Sequence, residues 1–291
     1  MTKLNHIYWT SVVAVCITFA AAASATAAPT YVLSNGNATA TFEVGGIGEG
    51  DHGQTAWSLD GIEHLSQQWF WYRVGDTGPE TMITDANNGL TLVSHSELDL
   101  GAGFGHILDL EYHDPHGRFE ITMGFTFVGA GNVSSIDEQI TIINTSGAPL
   151  DFHFFELLDF DLAHDPGGDV LRFPSNNTVQ SADGLFTSSE VVSTSANPPS
   201  AYEGGGGEAI WNKLNDGGAD NLSNTPALGT TISPADAGIA FQWDWVIPTG
   251  GAEQISKLKR IEQVVVPSPS AWAGGLALLS LGIWWRKRVR S

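Results

Sequence analysis

The sequence predicts an all-β fold, a single large antiparallel β-sandwich (jelly-roll-like or related) flanked by an N-terminal signal helix and a C-terminal transmembrane helix. Three observations predict it. Through residues 28–265 apolar side chains recur with a period of two and almost never 3.6. Clusters of Gly, Pro, Asn and Asp separate the alternating runs. The two ends of the chain are apolar and differ in composition from the acidic body between them.

Residues 1–27 read as a secretory signal peptide: Lys3 near the start, an apolar run over 7–23, and Ala25-Thr26-Ala27 before a cut at Ala28. Ala23-Ser24-Ala25 is the alternative cut. The chain's one cysteine, Cys16, lies in this segment, so the mature body has no disulfide and its stability rests on its core.

The body, about 240 residues, suits one large domain over 28–265, with no linker or fixed-period repeat dividing it. Strands are expected at 38–44, at 56–59 before the turn Asp60-Gly61, at 68–74 (QWFWYRV) and at 89–98. The segments 107–113 and 118–128 flank the turn His113-Asp114-Pro115-His116-Gly117. In the second arm Phe119, Ile121, Met123, Phe125 and Phe127 share a face. Alternation over 135–143 gives a further strand, and 144–149 turn into 150–162. Beyond this the chain reads as loose and polar until a last hairpin, which pairs 239–247 with 254–265 across Pro248-Thr249-Gly250-Gly251.

All 32 acidic residues lie in the body with seven basic ones, a net of −25. That charge excludes nucleic acid as a partner and favours solubility, with non-specific attraction for divalent cations. Three places carry candidate chemistry. In LDFHFFELLDFDL (150–162), Asp159 and Asp161 share one face roughly 7 Å apart, a spacing that Ca²⁺ could bridge. The plainer reading is a solvated rim where the strand leaves the sheet, and an acid/base pair is a third. Glu156 interrupts the opposite, apolar face and, once buried, needs a partner, with Arg73 and Arg118 as candidates. His113-Asp114-Pro115-His116 has the residue types of a transition-metal site but the pattern of an ordinary turn. Trp69 and Trp71 share a face and fit either a buried strand or a sugar-stacking platform, whereas Trp243 and Trp245 fit the core. No catalytic motif and no cofactor requirement stands out beyond the Ca²⁺ option.

The last 26 residues, 266–291, have three parts in order: VPSPS, an uncharged run over 271–285, and a basic end with Arg286, Lys287, Arg288 and Arg290. The run spans roughly 22 Å as a helix, a short transmembrane helix for a hydrocarbon core of about 30 Å, with its basic end cytoplasmic. This layout resembles the PEP-CTERM sorting signal of Gram-negative bacteria, with Pro267, Ser268 and Pro269 in place of the usual Pro-Glu-Pro. The resemblance implies an exosortase as partner, transient anchoring in the inner membrane, and delivery to the cell surface or extracellular matrix. QQWFWYRVGDTGPE, ITIINTSGAPLDFHFFELLDFDL and FQWDWVIPTGGAEQISKLKRI look like recurrent segments of exported proteins in that group. The functional expectation is a non-enzymatic surface or exopolysaccharide-matrix protein. The alternatives are a carbohydrate-binding module that contacts extracellular polysaccharide, and a polysaccharide-active enzyme using Glu156, Asp159 or Asp161.

Overall fold

A computed structural model describes residues 29–45, 52–165, 167–193 and 197–264. The expected signal peptide and sorting tail, with Pro267, Ser268, Pro269, Arg286, Lys287 and Arg288, lie outside the described residues. In chain order the elements begin with β1 (Thr30–Asn35), β2 (Ala38–Glu43), β3 (Gly53–Leu59), β4 (Ile62–Glu63), β5 (Leu65–Val74) and β6 (Thr81–Met82). They continue with β7 (Thr91–Asp99), β8 (His106–His113), β9 (Phe119–Ala130), β10 (Val133–Asn144) and β11 (Leu150–Phe160), then a 3-10 turn (Leu162–His164). Next come β12 (Val170–Ser175), β13 (Thr178–Asp183), β14 (Phe186–Val192), β15 (Ala201–Gly206) and helix α1 (Gly207–Asn215). The last strands are β16 (Thr231–Ile232), β17 (Ala237–Ile247) and β18 (Ala252–Gln263). Among the described residues no helix is long and apolar enough to cross a membrane.

The strands form two facing antiparallel sheets. The first has the order β1-β2-β3-β5-β11-β17-β15, with β4 beside β3 and β6 beside β5. The second has the order β16-β12-β13-β14-β18-β10-β9-β8-β7. The sandwich class is as expected, but nine strands in each sheet exceed the eight of a whole jelly roll. Alternation dictates which side chains meet between the sheets. Phe119, Ile121, Met123, Phe125 and Phe127 of β9 all face inward and are buried, as the period of two requires. They meet aromatic side chains of the first sheet: Phe119 packs on Phe152 with centroids 4.8 Å apart, and Phe125 on Phe42 at 4.8 Å.

The expected last hairpin is not one. β17 pairs with β11 in the first sheet and β18 with β10 in the second, so residues 248–251 carry the chain from one sheet to the other. The 145–149 segment makes the same crossing between β10 and β11. Buried Asn144 fastens the two crossings together, its amide donating to Ala148 O at 2.9 Å and Ile247 O at 2.8 Å. The stretch that reads as loose and polar is also folded, into the β12-β13-β14 meander and α1. Inward positions on that meander are filled partly by Ser181, Ser188 and Glu190, which blurs the apolar alternation.

Five of the interior positions are ionic. Lys257 and Lys259 of β18 alternate with Ser256 and Leu258 and point between the sheets, both at most 2% exposed. Lys257 Nζ pairs with Glu138 at 2.7 Å, with Glu190 at 3.1 Å, and with Glu156 of the opposite sheet. Lys259 Nζ pairs with Glu138 at 2.5 Å and donates across the gap to Gln54 at 2.7 Å and Gln68 at 2.9 Å. Gln68 in turn donates to Glu156 at 2.7 Å. Glu156 therefore finds Lys257 rather than Arg73 or Arg118, which are used by Glu80 and Asp114. The arginines miss it because Arg73 faces away from the interior on β5 and Arg118 stands in the β8–β9 turn.

Burial pushes the Glu156 carboxyl up to about 8, helped by the Glu190 charge and opposed by Lys257. For Glu138 the two lysines outweigh burial and hold the carboxyl below its usual range. Because the Glu156 acid is weaker folded than unfolded, its contribution to stability is fully present below pH 4.5 and is lost as the pH rises through about 8. Urea unfolding should therefore show Lys257→Met costing about 3–5 kcal/mol, since it strands buried carboxylates. Glu156→Gln, which copies the protonated acid, should cost less than about 1 kcal/mol and flatten the loss of stability over that pH window.

Candidate metal centre

Strand β11 runs through the middle of the first sheet, between β5 and β17. Its inward face carries Phe152, Phe154, Glu156, Leu158 and Phe160, and its outward face carries His153, Phe155, Leu157 and Asp159. At the end of the strand the register with β5 shifts between Asp159 and Phe160, and the chain leaves the ladder at Asp161. The following turn is tight: Ala163 and His164 both have φ of 61°, a left-handed conformation that costs non-glycine residues about 1–2 kcal/mol each. His64 secures it. Its backbone oxygen accepts from Asp161 N at 3.1 Å, and its Nδ1 accepts from Ala163 N at 3.1 Å. Burial lowers the imidazole to about 4, which keeps Nδ1 free to accept at neutral pH.

This turn brings Asp161 beside Asp159, and the residue just before β17 adds a third carboxylate, Asp236. Carboxylate oxygens of the three lie within 4.8 Å of one another, the separation that two ligands of one Ca²⁺ reach at about 2.4 Å each. Close backbone approach makes room for them. A Cβ on Gly207, the first residue of α1, would stand 2.8 Å from Asp159 Oδ2, and one on Gly238 would stand 2.4 Å from Gly207 Cα. Asp169 lies behind the trio, fully buried, its Oδ2 3.5 Å from the backbone N–H of Leu162.

The electrostatics are those of crowded, partly buried carboxylates. Burial first, then the Asp236, Asp161 and Asp169 charges, push Asp159 up to about 8. Burial raises Asp169 to about 7, with Asp183 and Asp161 adding to it, and burial with Asp236 also raises Asp161. One oxygen each of Asp159, Asp161 and Asp169 has no hydrogen-bond partner among the described residues. Unlike Glu156, none of the three forms an ion pair with lysine or arginine there. A hard cation with oxygen ligands would relieve both the repulsion and the unmet acceptors. The sequence placed Asp159 and Asp161 on a common side; Asp236 and Asp169 were missed, since nothing local in SPADAG or PGGDV marks either as a ligand.

The other candidates are placed as follows. His113 and His116 do not form a joint site: His113 Nε2 contacts Glu111 at 2.9 Å and Glu120 at 3.8 Å on the strands, while Asp114 is clamped by Arg118 at 2.8 Å. The sugar-platform reading of Trp69 and Trp71 is corrected, because both are fully buried on the outward face of the first sheet. Helix α1 covers Trp71, with Trp211 edge-on at 5.3 Å and Asn215 Oδ1 accepting from the indole N–H at 3.2 Å. The Trp69 indole donates to Thr84 at 3.0 Å. Trp243 is buried, and Trp245 packs against the core. Sequence reasoning also missed His153, which sits 2.6 Å from Asp244 and 3.6 Å from Asp151.

No protein-family model matches this chain. No curated protein matches it either. Solved structures do resemble it in fold. A bacterial glucoamylase, determined in complex with acarbose, superposes on 89% of this chain with a TM-score of 0.55 at 12% identity. The chain spans 35% of that protein's length, so the likeness is to a part of it. A protein assigned as an aldose 1-epimerase from Escherichia coli K12 aligns over 81% of this chain and 99% of its own, with a TM-score of 0.48 and 10% identity. A galactose mutarotase-like protein from Clostridium acetobutylicum covers 81% of this chain and 95% of its own, at a TM-score of 0.43 and 7% identity. At 12% identity the likeness to the glucoamylase is one of fold alone.

The centre makes a measurable prediction. With raised carboxyl values, its contribution to stability is greatest below about pH 4 and falls as the pH rises through about 7 for Asp169 and about 8 for Asp159. Thermal melts in EDTA should show that decline. Calcium at a hundredfold excess over its Kd should return about 2.7 kcal/mol at neutral pH. Asp159→Asn should remove the calcium response and raise the EDTA melting temperature at pH 8.

Proposed function

We propose that the chain is an exported protein, sorted by an exosortase to the cell surface or the exopolysaccharide matrix, whose sandwich serves there as a calcium-stabilised, non-catalytic body. The destination is supported by the ends of the sequence: a signal peptide over 1–27 and the PEP-CTERM-like order of Pro267-Ser268-Pro269, apolar run and Arg286-Lys287-Arg288 over 266–291. The inner membrane and an exosortase are then transient partners, and extracellular polysaccharide the lasting one.

The observation that carries the non-catalytic reading is the fate of Glu156. Of the three carboxylates weighed as acid/base groups it is the most deeply buried, sealed between the sheets and held by Lys257 and Gln68. No substrate reaches it without opening the sandwich. Asp159 and Asp161 sit instead with further carboxylates, a donor set that suits a bound Ca²⁺.

The fold favours a second reading, a carbohydrate-binding or polysaccharide-active protein. The glucoamylase with the similar fold acts in sugar chemistry, and the inference from it is by analogy of fold. With Trp69 and Trp71 buried, a binding module would have to use polar side chains on a sheet face.

The test is the mass of the mature C-terminus from native cell surface, in cells with and without their exosortase. A product ending near residues 267–270 only when the exosortase is present is expected. A product that retains Arg290 in both would overturn the sorting reading and leave the tail as a plain anchor. Release of reducing ends from a polysaccharide, abolished by Asp159→Asn while thermal melts show that variant folded, would overturn the non-catalytic one.

A further inference from the structure

The seven basic residues of the body are distributed unevenly. Lys257 and Lys259 are sealed between the sheets, Arg73 is buried on Glu80, Arg118 is clamped by Asp114 at 2.8 Å, and Lys213 meets Glu203 at 2.8 Å. Two remain, Arg172 and Arg260, and both line the same solvent-open pocket of about 470 Å³ on the outward face of the second sheet.

Register explains how they meet. Thr231, Arg172, Gln180, Ser189, Arg260 and Ser135 are successive cross-strand partners on β16, β12, β13, β14, β18 and β10. Their sequence neighbours Leu171, Val179, Glu190 and Ile261 are buried, so the row itself faces outward. Three strand spacings separate the two arginines, about 14 Å. Between them stand the amide of Gln180 and the hydroxyl of Ser189. Arg172 has no carboxylate partner among the described residues. Arg260 touches Glu262 at 2.8 Å, but both are more than 40% exposed, and solvent screens such a pair.

A body of charge −25 that places one unpaired guanidinium and one held only by an exposed glutamate in the same groove presents a local site for anions in a repulsive field. Phosphate-dense polymers are repelled by that field and by Glu262 at the groove's edge. A polymer that interleaves carboxylates with many hydroxyls fits better: guanidinium takes carboxylate in a two-pronged hydrogen bond, and amide and hydroxyl side chains take sugar hydroxyls. We propose that this groove binds a uronate-bearing oligosaccharide, with carboxylates on Arg172 and Arg260 and intervening hydroxyls on Gln180 and Ser189. The proposal deepens the matrix reading and rests on it for the presence of such a polymer.

Isothermal titration calorimetry at low ionic strength tests it, with an oligogalacturonate as probe and neutral maltohexaose as control. Both arginines are exposed, so Arg172→Gln and Arg260→Gln should fold normally, which thermal melts check. The oligogalacturonate should bind, each substitution should weaken it by about tenfold or more, and EDTA should leave it unchanged. Absence of binding, equal binding of maltohexaose, or insensitivity to both substitutions would overturn the proposal. Loss of binding in EDTA would overturn it too, by placing the uronate on calcium. None of these results bears on the C-terminal mass, so the sorting reading fails or stands separately.

Discussion

The interaction on which the rest of the structure depends is the buried ion network that spans the gap between the sheets. Lys257 and Lys259 rise from the second sheet, and Glu156, Gln54 and Gln68 meet them from the first. Apolar contact is non-directional and would hold the sheets together in several relative positions. Hydrogen-bonded charges impose one, because a displaced partner leaves a group desolvated and unmet. The rings beside it, such as Phe70, which stacks on Phe154 and lies 4.8 Å from the Lys257 ammonium, then pack in the positions that the network allows.

One strand shows two outcomes of the same difficulty. β11 places Glu156 inward and Asp159 outward, and burial pushes both carboxyls up to about 8. Glu156 is answered by an ammonium group of the facing sheet. Asp159 is answered by Asp161 and Asp236, which deepen its predicament unless a cation joins them. The acidic body has few cations to spend at its surface, because two lysines lie in the core and three more basic groups are committed to single carboxylates. An imported divalent ion fits that shortage, and so does a surface where the two remaining arginines serve a ligand rather than the fold.

Much of the sandwich was legible in the sequence, for a physical reason. Where inward positions are large and apolar, as in β9, strict alternation leaves one choice of face. Where inward positions are polar, alternation in hydrophobicity fades. The meander of β12, β13 and β14 was lost that way, with Ser181, Ser188 and Glu190 facing in. The lysines of β18 were open to the same error, although a signal was present: Ile255 and Ile261 face the core, so Lys257 and Lys259, at even spacing between them, must as well. A turn also says nothing about which sheet the next strand joins. Pro248-Thr249-Gly250-Gly251 has the composition of a hairpin loop and spans the sandwich instead, because Asn144 binds both crossings. For the candidate centre, local spacing exposed Asp159 and Asp161, while Asp236 comes from 75 positions beyond and only the β11–β17 pairing brings it near.

The most direct test of this account is the protonation of Glu156 in the folded protein, read by carbon NMR of glutamate side chains labelled at the carboxyl. The account requires one glutamate resonance at the position of a neutral acid at pH 6, moving to the carboxylate position near pH 8 and absent from Glu156→Gln. Full ionisation of every glutamate by pH 6 would contradict it, since the three core carboxylates would then outnumber the two lysines that hold the sheets in place.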